Sequence, residues 1–561
     1  MPDTHQDVFS GSPRFSNPEL ATLARSGNVV GAWRIASQWN SSTAVPPALQ
    51  GVTGDFSIGL CEPGGRTFLA VDRFAIRTMC YRVDNGQMRF AARADELADS
   101  STEVDPQAIF DYLYFHIIPS PRTIYKGIYR LPPGHYALFE NGKLTVAPYW
   151  VPTFEEPRSA SFGDLKDEFR QLLRDAVATQ LDGSKPACFL SGGTDSSTVA
   201  GMAVLASGQT VATYSIGFDA QGYDEMEFAR IAAKHFKTEH HEYYVTPDDL
   251  VRSIPAVAAH YDQPFGNSSA LPSYYCATMA RADGVTKILA GDGGDELFGG
   301  NTRYAKQKVF GWYGSIPAGL RTGLLEPVSK LSFLEKIPLV QKGASYVNQA
   351  RVPMPDRLMT YNLLFRLGVE NMLTPALLAQ VDQRDPVRQQ SGVWAQAHAD
   401  SLVNRMLAFD WRYTLADCDL PKVVGTTTLA GLDVGFPMLD DHLLAFSQKL
   451  PTDYKLKGFK LRWFFKEALR GFLPDEILVK KKQGFGLPFG VWANTHPGLK
   501  TLASDSLHSL ARRGVVRAEF VQALISQRLP EHPGYYGEMV WILMMLEQWL
   551  AAKAPDFSLE K

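Results

Sequence analysis

ACFLSGGTDSSTVAGMA, residues 187 to 203, carries an apolar run straight into a glycine pair and then into small hydroxyl residues that open a helical stretch. A buried strand, Ala187 to Leu190, delivers Ser191-Gly192-Gly193 to the carboxyl edge of a sheet, and a helix starting near Ser196 aims its unpaired N–H groups back at that loop. Such a loop suits an anion. Gly192 and Gly193 lack the side chains that would block close approach, and Ser191, Ser196 and Ser197 can donate further hydrogen bonds to phosphate oxygens. The GxxxxGK(S/T) spacing and lysine of a Walker A loop are missing. Asp195 would repel a bare phosphate, so its place in the loop makes sense if magnesium lies between carboxylate and pyrophosphate, as hard oxygen ligands favour. The plainer alternative is a tight strand-to-helix turn with a capping serine.

The surroundings fit a sheet of that kind. "PACFL", "TVATYSIGF", "HHEYYV" and "VTKILAG" are short apolar or β-branched runs separated by helical stretches such as "DEMEFARIAAKHF". This rhythm predicts a parallel sheet covered by helices, with ligands beyond the carboxyl ends of its strands. Upstream, Phe169, Leu172, Leu173, Ala176 and Val177 share one helical face, and downstream residues 305 to 555 read mainly helical, without an internal repeat. Residues 1 to about 50 are poorly patterned and rich in Ser, Asn, Gly and Pro. A β-rich region follows, in which "GDFSIGLCE", "RTFLAVDRF" and "RTMCYRVDNGQMRFAAR" alternate apolar with polar positions and Asp84-Asn85-Gly86 supplies a hairpin turn. The stretch from Pro148 to Pro157 reads as the linker. Two domains are therefore expected, over 1–155 and 160–555.

Composition narrows the function. With 561 residues, 45% of them apolar, the chain can bury sizeable cores. Its 56 basic and 59 acidic residues are well mixed, for a formal charge of −3, so nothing electrostatic calls for nucleic acid or an anionic membrane, and small molecules become the default ligands. No signal-peptide pattern and no run of about 18 apolar residues is present, which places the protein in the cytoplasm by expectation. Cys61, Cys80, Cys188, Cys276 and Cys418 are widely spaced, without a CxxC pair, and read as buried free thiols, not a disulfide framework or zinc site.

A second loop answers the first. "ILAGDGGDELFGG", residues 288 to 300, is again an apolar strand running into a glycine-rich acidic loop. Two such loops on one sheet edge can face one ligand, with Asp295 as the second magnesium ligand and Gly291 letting backbone lie against a nucleotide. SGGTDSS together with GDGGDELFGG resembles the ATP pyrophosphatase signature of the asparagine synthetase family, which includes β-lactam synthetases and lasso-peptide cyclases. The resemblance continues through "YSIGF", "YDEMEFARIAAKHF", "YDQPFGNSSALPSYY" and "LPDEILVKKKQGFGLPFGVW", most of residues 165 to 495. It implies an adenine-nucleotide α-hydrolase-like synthetase domain with a helical C-terminal part. In that family a carboxylate attacks the α phosphorus of ATP, pyrophosphate leaves, and an amine displaces AMP to give an amide. By resemblance, Leu190, Ile216 and Gly291 line the adenosine side, Ser191 to Ser196 hold pyrophosphate, and Asp195 and Asp295 hold magnesium. Asp292 stands where relatives carry a residue suspected of helping the amine lose its proton; a loop-capping aspartate is the alternative. The family's catalytic lysine aligns with Arg462, which keeps the charge but exchanges a compact ammonium for a planar fork. Lys460 could serve if the register differs by two, or both could merely solvate a helix entrance. The lysines at 480 to 482 read as a solvated or phosphate-facing patch.

The N-terminal region departs further. "LAVDRFAIRTMCYRVDNGQMRFAAR" resembles hairpins of the family's class II glutamine amidotransferase domain, an Ntn-type α+β fold of layered sheets. Relatives that hydrolyse glutamine use an N-terminal cysteine, whose thiol and α-amino group share the nucleophile and base roles. Here residue 2 is proline, no RGPD or NGEIYN segment precedes "GDFSIGL", and Cys61 and Cys80 lie within predicted strands. The expected protein is thus an α/β, ATP-dependent, AMP- and pyrophosphate-forming amide ligase with a degenerate glutaminase-like domain, joining a small-molecule or peptide carboxylate to an amine or ammonia. An ordinary asparagine synthetase and a non-catalytic adenylate-binding scaffold are the alternatives. The oligomeric state stays open, a homodimer included.

Overall fold

A computed structural model describes residues 7–38, 45–62, 65–155, 161–315, 317–320, 346–481 and 486–559. Pro2, Lys482 and the end of the expected linker at Pro157 lie outside the described residues.

The N-terminal half is layered. A five-stranded antiparallel sheet runs in the order β1 (Val8–Gly11), β2 (Phe56–Cys61), β3 (Thr67–Val71), β7 (His135–Glu140) and β8 (Lys143–Pro148). Alternation decides which face each residue covers. Phe56, Ile58, Leu60, Phe68 and Ala70 pack with Trp33 and Ala32 on one face. Leu69, Val71, Ala137 and Phe139 pack on the other against Tyr81, Met88 and Phe90 of a three-stranded sheet made by β4 (Cys80–Asp84), β5 (Gln87–Ala91) and β6 (Tyr129–Arg130). The predicted hairpin closes at Asn85 and Gly86, with φ of 51° and 75°, as its two-residue turn demands. The first 50 residues correct the sequence expectation, because they form helices at Pro18–Arg25, Val29–Ala36 and Val45–Gln50. Asn17 caps the first, and Trp33 anchors the second in the core.

The second half holds a five-stranded parallel sheet, β9 (Ala187–Phe189), β10 (Ala212–Phe218), β11 (Glu239–Val245), β12 (Lys287–Leu289) and β13 (Asp433–Gly435). Its spatial order is β11-β10-β9-β12-β13, every pair parallel. Chain order reverses between β9 and β12, and at such a switch point the loops leaving the two strands diverge to opposite faces and open a crevice. Those loops are the two glycine-rich stretches quoted above. Helices Phe162–Ala178, Thr194–Ser207, Met226–Phe236, Ala270–Ala282 and Leu420–Ala430 accompany the sheet, and Pro533–Lys553 is buried along most of its length.

The two halves are stitched by charge. Arg77 bridges Asp55 and Asp433, Arg130 meets Asp262 at 2.6 Å, and Arg73 pairs with Asp441. The mixed α/β architecture agrees with the fold class read from the sequence.

Candidate active site

The crevice is a cavity of about 1000 Å³. Leu190, Ser191, Gly193, Asp195 and Ser196 line it from the β9 loop, Ile216 from β10, and Gly291, Asp292 and Asp295 from the β12 loop. A hairpin, Leu456–Lys457 with Lys460–Leu461, and the helix Trp463–Ala468 complete it with Lys460, Arg462 and Lys466. The helix after β9 starts at Thr194, two residues earlier than predicted, with Gly193 at its N-cap. Its first N–H groups therefore open directly on the cavity.

Two residues expected at the anion do not line the cavity. A Cβ on Gly192 would lie 2.5 Å from the backbone nitrogen of Ala229 and 2.7 Å from Cβ of Phe228, so its bareness serves packing against Met226–Phe236. It also holds φ at +70°. Ser197 is fully buried, outside the cavity lining, and its hydroxyl has no hydrogen-bond partner among the described residues. Helical geometry explains this, because successive positions are turned about 100° apart and Ser197 follows the cavity-facing Ser196 into the core. Ser196 instead ties the loop together: its Oγ accepts from the Ser191 N–H at 3.1 Å and lies 3.0 Å from Ser191 Oγ.

The loops touch through Gly291, where a Cβ would stand 2.7 Å from the nitrogen of Ser196 and 2.9 Å from the carbonyl carbon of Asp195. This contact brings Asp195 and Asp295 onto one guanidinium. Nη1 of Arg462 donates to Asp195 Oδ2 and Asp295 Oδ1, each at 2.7 Å, and to Thr194 Oγ1 at 3.0 Å, while Nη2 contacts Asp195 Oδ1. Arg462 is 4% exposed, stacks over Phe465 at 3.9 Å and has φ of 52°, the left-handed region that lets the helix entrance turn toward the loops. Burial alone would discharge it, but Asp195 and Asp295 outweigh that and hold its pKa above the usual value. Lys460, two residues earlier, is exposed.

Asp195 and Asp295 fit a magnesium ion in part. Two carboxylates converging on one nitrogen can converge on one hard cation, and magnesium commonly keeps a site of one or two carboxylates, completing its shell with phosphate and water. No cluster of three metal-binding side chains exists among the described residues. The guanidinium of Arg462 now holds the shared point, so it must withdraw from at least one carboxylate when a cation is held there.

Asp292 has partners that local sequence does not announce. Lys422 Nζ lies 3.5 Å from Asp292 Oδ1 and 3.0 Å from Asp419 Oδ1. Burial pushes the Asp292 carboxyl up, with Lys422 pulling down and Asp419 adding to the rise; burial would lower the Lys422 ammonium, but Asp419 and Asp292 raise it. Asp419 ends a π-helical run, Trp411–Asp419, that turns straight into Leu420–Ala430. Lys466 faces Arg462 and is pushed down by burial and by that charge. Lys480 is paired with Glu225 at 2.9 Å and sits over the Phe228 ring, while Lys481 is exposed.

None of the five cysteines forms a disulfide among the described residues. Cys80, Cys188 and Cys276 are buried, and burial pushes Cys80 up to about 12. Cys61 lies at the end of β2, raised by burial and by Asp7.

The Asparagine synthase family model matches residues 168–551, and the Glutamine amidotransferase domain model matches residues 44–150. Asparagine synthetase (glutamine-hydrolyzing) 1 of Bacillus subtilis is 25% identical over 487 residues, which cover 86% of this chain and 74% of that one. Asparagine synthetase (glutamine-hydrolyzing) 3 of the same organism is 24% identical over 442 residues, 74% of this chain and 64% of that one. Amidase chry2 of Gibberella zeae is 22% identical over 489 residues, 78% of this chain and 70% of that one. With its glycine loops at the switch point and a family match running through both of them, the chain belongs to the asparagine synthase family of ligases.

Proposed function

We propose that the protein is an ATP-dependent amide ligase that activates a carboxylate as its adenylate, releases pyrophosphate, and passes the acyl group to an amine, without hydrolysing glutamine. The observation that carries this is the meeting of two strand-end loops at the sheet's switch point, with Asp195 and Asp295 sharing one nitrogen of Arg462. Leu190, Ile216 and Gly291 offer apolar and bare backbone surface to the adenosine. Ser191, Gly193 and the N–H groups of the helix opening at Thr194 bind the β and γ phosphates. Magnesium held by Asp195 and Asp295 would supply charge neutralisation on the departing pyrophosphate. Arg462, at the meeting point of the two loops, would supply positive charge beside the phosphate where negative charge grows in the transition state. Asp292, its pKa raised, is suited to accept the proton that the attacking amine gives up.

The N-terminal domain is read as a scaffold. Burial holds the thiols of Cys80, Cys188 and Cys276 protonated, which disfavours each of them as a nucleophile. The amidotransferase match begins only at residue 44. The alternative is an ordinary asparagine synthetase, which joins aspartate to nitrogen from glutamine or ammonia; the Bacillus relatives carry that name in its glutamine-hydrolysing form.

A panel of carboxylates tested for exchange of labelled pyrophosphate into ATP decides the matter. Exchange that depends on both a carboxylate and Asp195 is expected. Cleavage of ATP to ADP and phosphate under the same conditions would overturn the proposal.

A further inference from the structure

Most cations of the cavity lining gather on one side, where Asp195, Glu225, Asp295, Glu296 and Glu467 accompany them. Lys460, Arg462, Lys466, Arg470, Lys480 and Lys481 all come from the segments around the hairpin and the chain that follows it. The opposite contribution comes from two helices joined by Ser273 Oγ and Thr426 Oγ1 at 2.9 Å, Ala270–Ala282 and Leu420–Ala430. Pro272, Ser273, Cys276 and Val423 line the cavity from these helices and are neutral. Lys422 is the cation they add among the described residues, and it already faces two carboxylates, Asp292 and Asp419. That group keeps one negative charge in excess. Its geometry is fixed from behind, since Asn267 Nδ2 donates to Asp419 Oδ1 at 3.3 Å and contacts Cys418 Sγ at 3.3 Å. Both donors that reach Asp419, Asn267 Nδ2 and Lys422 Nζ, meet its Oδ1, and the side chain is 26% exposed and lines the cavity.

We propose that Asp292 and Asp419, on either side of Lys422, seat the amine substrate as a primary ammonium borne on a larger organic molecule, with Asp419 as the positioning residue, and that this wall takes no carboxylate. An ammonium has three donors and can reach Asp419 Oδ2 and Asp292 together, while its carbon chain lies on Pro272, Cys276 and Val423. A carboxylate placed there would meet the excess negative charge in a poorly screened site. The idea rests on the ligase reading above and gives its amine a class: a charged alkylamine, bound before it loses a proton.

The test is calorimetric titration of the full chain, with saturating magnesium and ATP, using n-butylammonium, ammonium and n-butyrate as probes. ATP binding is measured first; its absence sinks the ligase reading itself. With ATP bound, n-butylammonium is expected to bind at least tenfold tighter than n-butyrate and at least fivefold tighter than ammonium. Asp419→Asn should abolish the preference for the cation while leaving ATP affinity within twofold. If n-butyrate binds as well, if ammonium matches n-butylammonium, if none of the probes binds, or if Asp419→Asn keeps the preference, the amine seat is wrong, whatever becomes of the ATP site.

Discussion

Replacing Gly291 by alanine tests whether the two glycine-rich strand-end loops really touch. The new Cβ would stand 2.7 Å from the Ser196 nitrogen, 2.9 Å from the Asp195 carbonyl carbon and 3.0 Å from the Ser196 Cα, all backbone atoms with no rotamer to yield. Ordinary contact for a Cβ begins at 3.4 Å, so the loops must part by about 0.7 Å. Overpacking of this kind costs about 1–3 kcal/mol. Parting also separates Asp195 from Asp295, which now share Arg462 Nη1 at 2.7 Å each, and stretches one of those bonds beyond the normal hydrogen-bond range of about 2.7–3.2 Å. Gly291→Ala should thus lower the urea midpoint and weaken binding of magnesium-ATP by about tenfold or more, since about 1.4 kcal/mol is a factor of ten. Gly193→Ala is the stability control. Its φ is −80° and its nearest neighbour would be Ser191 Oγ at 3.4 Å, so its urea midpoint should stay within about 0.5 kcal/mol of the parent. Equal stability of the two variants, with unchanged ATP affinity in Gly291→Ala, would refute the loop contact.

Asp195→Asn and Asp295→Asn should each raise the magnesium concentration needed for ATP binding by about tenfold or more, read by calorimetry, because each removes one hard anionic ligand. Arg462→Ala should slow amide formation far more than it weakens ATP binding, whereas Lys460→Ala, whose side chain is exposed, should stay near the parent rate; the reverse result would move the catalytic cation to Lys460. Incubation with glutamine should release no glutamate above background, and turnover that depends on any one cysteine would contradict the scaffold role of the N-terminal domain. His116 and His135 give a pH prediction: burial pushes both to about 4, against an unfolded value near 6.5, so between those values the unfolded chain binds the protons. Their contribution is full above pH 6.5 and is lost as the pH falls toward 4. For His135 the loss reaches at most about 3 kcal/mol, and for His116, whose side chain is 26% exposed, less. The melting temperature should fall over that range, and His135→Gln should flatten the fall.

Short loops with strong local chemistry were legible in the sequence, and long-range partners were not. SGGTDSS and GDGGDELFGG each follow an apolar strand, so their glycines and acids could be read as one site before the sheet order was known. The parallel sheet announced itself through alternating strand and helix runs, and the Asn85-Gly86 turn through its need for positive φ. Gly192 misled, because a bare residue in a phosphate loop looks the same whether ligand or a neighbouring helix claims the space; here Phe228 and Ala229 claim it. Ser197 misled for a similar reason, since its neighbour Ser196 takes the cavity face. Lys422 and Asp419 lie about 130 residues after Asp292, and long-range packing, with the pairing of β12 and β13, brings them beside it. Nothing local marks the π-helical run that points Asp419 inward, and the short helices of the first 50 residues were too brief for periodicity to reveal.

The central claim, that a carboxylate oxygen attacks the α phosphorus of ATP, can be followed in the atoms themselves. With a carboxylate active in pyrophosphate exchange, both of its oxygens are labelled with ¹⁸O, an amine is supplied, and the AMP formed is analysed by mass spectrometry. One ¹⁸O per AMP is predicted, because the C–O bond broken by the amine leaves one carboxylate oxygen on the phosphate. AMP free of label, or label in inorganic phosphate alongside ADP, would contradict the account.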